Sequence, residues 1–361
     1  MKMNKLVLYL FSLLLSGCIK ENTINSFDVI PINVDSCREL DLKLGKIIPL
    51  ETSDSSLLYD IVSVDEIKDK YFIRSRSKVL AFGEDGKFLY NVSAKGQGYK
   101  EYVTMSSFFI DNNELCIYDN STHRILRFDP SGAYIRTEKV TIKNDQECIP
   151  YLIFPLGNRK YIAKNQFNGT PEAVTPALSL LDNNYNVVDK IEGRLCLTGF
   201  TLFDFISSDL KNNAATYWEA LNDTIYKVID SKISPKYVVD FGQNAIPIAE
   251  RVNKDVYDLI DFVNKPENNK YATFVRYVYE EEKYVYFIFG YKKDVMLAKY
   301  DKQERKSTVY TLSVDTYGQR YKFASFLKIN KEEIMMVLED CQNIENNQSL
   351  FIIDKSRLNE E

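Results

Sequence analysis

The stretch KVLAFGEDGKFLYNV at residues 78–92 joins two apolar segments through a polar corner, and residues 124–140 repeat this arrangement as RILRFDPSGAYIRTEKV. In each, an aromatic residue ends the first segment, at Phe82 and Phe128, and a turn rich in Asp, Gly and Pro follows. Short β-branched and aromatic runs separated by such turns are typical of antiparallel strands. The two stretches therefore predict a hairpin that the chain builds more than once.

Four further copies of this hairpin follow, and they read LSLLDNNYNVVDKI, TIYKVIDSKISPKYVVDF, MLAKYDKQERKSTVYTL and SLFIIDKSRLNEE. The last apolar residue before the turn anchors each copy, and the six anchors are Phe82, Phe128, Leu181, Ile229, Tyr300 and Ile353. The anchors lie about 50 residues apart, with one longer interval before Tyr300. An Asp follows every anchor except the first, which Gly83 follows.

Two more strand-like segments precede each hairpin, for example IVSVDEI and YFIRS before the first, so each unit reads as four strands. Four-stranded units of this length in radial array are the blades of a β-propeller. The sequence therefore predicts an all-β, six-bladed β-propeller of four-stranded antiparallel blades, as a single domain over residues 45–361. A two-domain β-sandwich is the alternative, but it does not explain one pattern repeated through the whole chain.

Two features complete this prediction. The last repeat ends near its third strand, and an N-terminal strand within residues 46–52 supplies the missing outer strand and closes the ring. The longer interval contains residues 248–265, which lie between Pro247 and Pro266 and have apolar residues at helical spacing. This insertion is predicted to be an amphipathic helix that packs on the propeller.

The N-terminus reads as an export signal. Lys2 and Lys5 precede an apolar run from Leu6 to Leu15, which is shorter than the about 20 residues that span a bilayer. Ser16, Gly17 and Cys18 follow, and this end of the run resembles the bacterial lipobox. The resemblance implies a signal peptide over residues 1–17, lipid on Cys18 and a lipidated linker over residues 18–44. The expected location is the outer membrane, facing the periplasm or the cell surface.

Three stretches resemble a known family. They are IPLET at residues 48–52, GEDGKFLYNVSAKGQGYKEY at residues 83–102 and NDTIY at residues 222–226. They are similar to the six-bladed β-propeller lipoproteins of Bacteroidetes, relatives of NHL-repeat propellers. Tyr99 and Lys100 stand where that family usually has Pro and Gly. The resemblance implies the propeller fold and the lipid anchor, and it implies no general reaction.

The composition excludes several functions. The chain has 361 residues and a formal net charge of −5, which argues against nucleic-acid binding because such proteins need a basic face. It contains one His, so a metal site built on several histidines is excluded. No nucleophile elbow or phosphate-binding loop is present. Five cysteines besides Cys18 show no close spacing, which argues against a zinc site, and Cys116 is expected to be a buried thiol.

Repeat equivalence places candidate ligand-binding residues without a structure. The connections between second and third strands, and between successive blades, open on one face of a propeller, where polar-lined mouths bind ligands. The candidates on this rim are Arg74, Arg76, Lys95, Gln97, Glu101, Tyr102, Asp119, Asn165, Glu219, Glu339 and Asp340. His123 lies close to them and is expected to be a hydrogen-bonding loop residue.

Three functions remain open from the sequence. The leading hypothesis is a lipid-anchored binding or scaffolding module for a glycan, a peptide or a partner protein, with no catalytic residues, metal or cofactor. The alternative is a calcium-dependent, gluconolactonase-like hydrolase in which Asp119, Asn165 and Glu219 supply oxygen ligands. The third is a structural lipoprotein whose helix at residues 248–265 docks a membrane complex.

Overall fold

The computed structural model describes residues 27–39, 45–76, 78–165, 176–192, 206–209, 214–218, 223–229, 232–251, 256–292, 294–312 and 321–359. Cys18, Glu219 and Asp230, together with the signal peptide, lie outside these residues. No helix in the described ranges is both long enough and apolar enough to cross a membrane.

The chain begins with three short strands, β1 (Asp28–Pro31), β2 (Arg38–Glu39) and β3 (Lys46–Pro49), with a 3-10 turn at Val34–Ser36. Three complete four-stranded sheets follow, each with its strands in chain order. Blade 1 contains β4 (Ile61–Ile67), β5 (Lys70–Ser75), β6 (Lys78–Gly83) and β7 (Phe88–Asn91). Blade 2 contains β8 (Met105–Asp111), β9 (Glu114–Asp119), β10 (Arg124–Phe128) and β11 (Tyr134–Lys139). Blade 3 contains β12 (Pro150–Gly157), β13 (Lys160–Asn165), β14 (Pro176–Leu181) and β15 (Val187–Glu192).

The second half of the ring repeats this plan. Blade 4 contains β16 (Ile206–Asp209), β17 (Ala214–Trp218), β18 (Thr224–Ile229) and β19 (Lys232–Asp240). Blade 5 contains β20 (Thr273–Glu280), β21 (Tyr284–Tyr291), β22 (Asp294–Asp301) and β23 (Lys306–Leu312). Blade 6 contains β24 (Tyr321–Ile329), β25 (Glu333–Asp340) and β26 (Ser349–Asp354). The chain continues into a 3-10 segment at Lys355–Asn359.

These sheets form a ring with the first strand of each blade innermost, because the first strands of neighbouring blades contact one another. The six-bladed β-propeller predicted from the repeats is confirmed, and all six anchors lie in the third strands of their blades. The predicted closure is also confirmed. Strand β3 pairs antiparallel with β26, with Ile48 opposite Leu350, and so supplies the outer strand of blade 6.

The N-terminal segment also contacts two other blades. Strand β1 pairs in parallel with β19 at the outer edge of blade 4, and β2 pairs in parallel with β23 at the outer edge of blade 5. Both strands lie within the segment expected to be a linker. Before it closes the ring, the chain therefore adds a fifth strand to each of these two blades.

The core lies between the blades. In the described part of the chain, six apolar clusters form, and each combines side chains from two successive blades. Trp218 and Phe287, for example, share the cluster between blades 4 and 5. Wide aromatic side chains suit this packing because each buries a large apolar area. Many Tyr and Phe side chains lie in these clusters.

The turns after the anchors hold the repeat in shape. Asp129 Oδ1 accepts hydrogen bonds from the amides of Ser131 (2.8 Å) and Ala133 (3.0 Å). Asp182, Asp301 and Asp354 accept equivalent bonds in their own blades. In the first copy Asp85 takes this role with the amide of Lys87 (3.0 Å). Gly86 and Gly132 have φ angles of 79° and 85°, which glycine adopts without steric cost.

The predicted helical insertion is confirmed between blades 4 and 5. It contains a short helix α1 (Ile248–Arg251), a longer helix α2 (Val256–Asn264) and a 3-10 turn at Pro266–Asn268. Leu259 is buried, whereas Asp258 and Asp261 are exposed, so α2 is amphipathic and rests on the propeller as expected. Phe262 stacks on Tyr271 with ring centroids 5.7 Å apart.

Candidate functional site

The candidate site lies on one face of the ring, which we name the front face. It carries the connections between second and third strands and the connections between successive blades. Because each blade is the same meander with its first strand inside, the ends of all second strands meet on this face. The predicted rim residues that the structure describes belong to these ends or to the connection between blades 1 and 2.

Five of the described rim residues are buried and bonded within the protein, namely Arg74, Tyr102, Asp119, Asn165 and Asp340. Arg74 Nη2 donates to the carbonyl of Met105 in the next blade (3.5 Å). Tyr102 packs between blades 1 and 2, and burial raises its pKa to about 12, an effect that Arg74 partly offsets. The Asn165 amide donates to Ser179 Oγ (2.8 Å). These side chains hold the connections of the front face in place.

Asp119 is the most deeply buried of these side chains, because it is 0% exposed. Its carboxylate accepts hydrogen bonds from the amides of Val103, Thr104 and Ser121, the hydroxyl of Thr122 and the guanidinium of Arg124. Burial alone would raise the pKa of Asp119, but these hydrogen bonds outweigh it and lower the pKa below its usual value. The carboxylate therefore ties the turn after strand β9 to the connection from blade 1.

The connection between blades 1 and 2 is shaped by its own side chains. Glu101 Oε2 accepts from the amide of Gly98 (2.8 Å), and Lys95 forms an isolated bridge with Tyr102. Lys95 and Gln97 are exposed. His123 Nδ1 lies 3.3 Å from the Tyr118 hydroxyl, as expected for a hydrogen-bonding loop residue. Cys116 is a buried thiol, also as expected.

An open cleft separates blades 6 and 1 on the front face, with a volume of about 520 Å³. Glu339 and Asp340, both predicted rim residues, lie in its wall. Lys322 pairs with Glu339 across 2.6 Å, and Asp340 Oδ1 accepts from the amide of Gln342 (2.9 Å). We name this feature the 6/1 cleft.

The opposite wall of the 6/1 cleft comes from the chain that leads into blade 1. Leu57, Leu58, Tyr59 and Asp60 line it. Arg76, a predicted rim residue, pairs with Asp60 at 2.6 Å and lies over the Tyr59 ring. Tyr59 is 64% exposed, and Ile344, on the first wall, is 84% exposed. The cleft thus combines exposed apolar side chains with two ion pairs, Arg76–Asp60 and Lys322–Glu339.

The structure brings only some of the predicted residues together. One group is at the 6/1 cleft, where Glu339 and Asp340 line the wall and Arg76 pairs with Asp60. A second group surrounds the connection between blades 1 and 2 and contains Arg74, Lys95, Gln97, Glu101, Tyr102 and Asp119. Asn165 belongs to neither group and lies in blade 3. Sequence reasoning missed Tyr59, Lys322 and Ile344. The repeat singled out the ends of second strands, whereas Lys322 lies at the start of a first strand and Tyr59 and Ile344 lie in connections.

A hollow of about 720 Å³ opens on the opposite face, beside blade 6. Two of its charged groups are bonded to each other: Lys355 Nζ donates to Glu281 Oε2 (2.7 Å) and also to the Asn330 carbonyl (2.9 Å). None of the predicted rim residues lines this hollow.

The chain was compared with sequence families, curated proteins and solved structures. The profile of a domain of unknown function, DUF4934, matches residues 43–360, which span the whole ring. The chain belongs to the DUF4934 family. No curated protein is significantly similar to it.

Solved structures share the fold of this DUF4934 chain. A Bacteroides fragilis protein described as exported has 17% identity and a TM-score of 0.67, over 91% of this chain and 99% of that one. A DUF4221 family member from Bacteroides vulgatus has 10% identity and a TM-score of 0.55, over 86% of this chain and 96% of that one. A protein described as a gluconolactonase has 7% identity and a TM-score of 0.46, over 86% and 92% of the two chains, so this likeness carries no functional weight. At these identities the likeness shows the fold alone.

Proposed function

We propose that this DUF4934 chain is a lipid-anchored binding module of the cell envelope, which holds a peptide or protein segment in the 6/1 cleft. The 6/1 cleft carries the proposal. Its exposed Tyr59 and Ile344 suit apolar side chains of a partner, and its ion pairs suit charged ones. A polypeptide can supply apolar side chains to Ile344 and Tyr59 and charges of both signs to the ion pairs, so it is the better match.

The proposed lipid anchor and envelope location rest on the apolar run from Leu6 to Leu15 and the lipobox-like residues that end at Cys18. Replacing Cys18 with Ser should move the protein from the membrane fraction to the soluble envelope fraction and abolish incorporation of labelled palmitate. Retention of both properties by the variant would contradict the anchor.

Photo-crosslinking in the producing cells tests the 6/1 cleft. A photoreactive residue at Ile344 should give a discrete product, whereas the same residue at Ile135, an exposed position on an outer strand, should give none. Reversing the pair as Lys322→Glu with Glu339→Lys, beside the photoreactive residue, tests whether charge recognition contributes. A product that contains polysaccharide rather than protein would favour a glycan ligand, and no product would reject the 6/1 cleft. Arg74 and Asp119 are unsuitable test positions because their side chains hold the connections of the front face in place.

The calcium-dependent hydrolase stays a prediction. Of its three expected ligands, Asp119 and Asn165 are already bonded within their blades, and Glu219 lies outside the described residues. Within the described ranges, no three acidic, His or Cys side chains are grouped closely enough to hold a metal ion. Thermal unfolding of chelator-treated protein with and without millimolar Ca²⁺ tests it, because a ligand at 100 times its Kd adds about 2.7 kcal/mol of stability.

A further inference from the structure

A second cavity of about 280 Å³ lies on the front face, between helix α2 and the end of strand β21 in blade 5. This is the position in blade 5 that corresponds to Asp119 in blade 2 and Asp340 in blade 6. The repeat assigned it no candidate residue. We name it the blade 5 cavity.

Ring stacking and hydrogen bonds within the protein hold the wall of the blade 5 cavity in place. Tyr271 lines it and stacks on Phe262 from α2. The Asn268 amide donates to the Phe262 carbonyl (2.8 Å), and the Asn244 amide donates to the Lys270 carbonyl (2.8 Å). These bonds fix the wall before any ligand binds, which lowers the entropic cost of binding.

The charge of the blade 5 cavity opposes that of the whole protein. The chain carries a net −5, but Arg276 and Lys292 line the cavity against a single carboxylate among its described lining residues, that of Asp294. Lys270 lies beside the same wall, over the Tyr271 ring. Burial lowers the pKa of the Arg276 guanidinium. An anionic group placed here would accept charge-assisted hydrogen bonds from these cations.

The remaining lining groups indicate that the ligand has hydroxyl groups and an apolar face as well as a negative charge. Tyr271 and Tyr291 present aromatic surface, and Asn264, Asn268 and Asn269 bring three amides. An amide donates and accepts hydrogen bonds at once, which matches hydroxyl groups that do the same. The apolar face of a saturated ring packs against aromatic side chains. A simple hydrocarbon acid would satisfy the cations but offers no partner to the amides.

We propose that the blade 5 cavity binds the carboxylate-bearing ring of an acidic saccharide. Arg276 and Lys292 contact the carboxylate, Asn264 and Asn269 contact ring hydroxyls, and the Tyr271 ring packs against the sugar. The volume equals that of about nine water molecules in the liquid, which suits one sugar ring with a few bound waters. This site is separate from the 6/1 cleft and does not depend on the function proposed there.

The test uses a chain that starts at residue 19, since residues 27–359 contain every blade and the closing strand. Saturation-transfer NMR and calorimetry compare D-glucuronate and D-galacturonate with D-glucose, which lacks the carboxylate, and with acetate, which lacks the ring. At least one hexuronate should bind at least about tenfold more tightly than glucose, which lacks the charge-assisted hydrogen bonds to Arg276 and Lys292. It should exceed acetate by a similar factor, because acetate lacks the hydroxyls and the apolar ring face.

Matched variants connect this binding to the blade 5 cavity. Lys292→Gln, at an exposed side chain, should weaken hexuronate binding severalfold, and Arg276→Gln should weaken it about tenfold or more. Because Arg276 is partly buried, Asn269→Ala, which removes an amide and leaves the charge of the cavity unchanged, serves as a second variant. Lys87→Gln, an exposed lysine on the opposite face of blade 1, should change nothing.

Three outcomes would overturn the proposal: no binding of either hexuronate, equal binding of glucose, or equal binding of acetate. Wild-type affinity in the Lys292 and Asn269 variants would also overturn it. Ile344→Asp, in the 6/1 cleft, should leave hexuronate binding unchanged. Failure of this proposal is therefore distinguishable from failure of the one for the 6/1 cleft.

Discussion

Asn347 joins the two ends of the ring, and replacing it should open the closure. Its side-chain Oδ1 accepts from the Leu58 amide (2.7 Å), and its Nδ2 donates to the carbonyls of Glu51 (2.6 Å) and Ser56 (2.8 Å). Its own amide donates to Thr52 Oγ1 (2.7 Å). Asn347 is only 5% exposed, so water does not readily replace these partners.

The expected cost follows from this geometry. Asn347→Ala removes three hydrogen bonds and leaves the Leu58 amide and the Ser56 carbonyl without these partners in a buried place, whereas the Glu51 carbonyl still accepts from Ser56 Oγ (2.7 Å). Each unsatisfied buried group costs about 1–3 kcal/mol, so the free energy of unfolding should fall by about 2–6 kcal/mol. Domains are stable by about 5–15 kcal/mol, so this is a large fraction of the total.

Urea unfolding of the chain from residue 19 measures this loss through the midpoint and slope. Asn346→Ala, at the exposed neighbouring position, is the control and should change stability by less than about 0.5 kcal/mol. Asn347→Asp keeps the acceptor for Leu58 but places a carboxylate against two carbonyls, so it should also destabilise. A loss below about 1 kcal/mol in Asn347→Ala, at unchanged slope, would show that the closure does not depend on this side chain.

Two further perturbations test charged groups within the blades. Arg127 is buried and bonds Asp111 (3.0 Å) and Tyr161 (2.7 Å), so Arg127→Met should cost about 3–5 kcal/mol in urea unfolding, whereas Arg136→Met, at a more exposed partner of the same network, should cost about 1 kcal/mol or less. Burial raises the pKa of Asp65 from 3.8 to about 6, so its contribution to stability is present below pH 3.8 and is lost as the pH rises through 6. Asp65→Asn should therefore stabilise the protein by up to about 2 kcal/mol at pH 8 and have less effect at pH 4, and equal effects at the two pH values would contradict this assignment.

The blades were predictable because their signal is local and repeated. Each third strand ends in an apolar anchor followed by a residue suited to a turn, and the bonds of Asp129 and Asp182 show why that residue type recurs. The insertion was predictable for a similar reason, since helical spacing between two prolines needs no long-range information. The closing strand followed from counting strands, because the last repeat lacked one.

Strands β1 and β2 were not predictable in this way. Asp28–Pro31 and Arg38–Glu39 are too short for a clear alternation of polar and apolar residues. Their partners, β19 and β23, lie about 200 residues or more further along the chain. Only the assembled ring places the outer edges of blades 4 and 5 along the path of the N-terminal segment.

The candidate site was predictable only in part, because being at the end of a strand does not determine whether a side chain faces solvent. Asp119 and Asp340 occupy equivalent positions and both accept hydrogen bonds from their own loops, but Asp340 also lies in the wall of the 6/1 cleft. The blade 5 cavity depends on the inserted helix, whose packing against blade 5 has no counterpart in the repeat.

The attachment of the N-terminal segment to three blades in turn has a mechanical consequence. If Cys18 carries the lipid, residues 19–27 limit the distance between the bilayer and the outer edge of blade 4 to at most about 30 Å. A pull on the protein then loads β1 first and β2 second, and the Asp28–Arg305 ion pair reinforces the first attachment. Strand β3, which closes the ring, bears the force last. A force applied through the lipid therefore detaches the outer strands β1 and β2 before it acts on the closure of the ring.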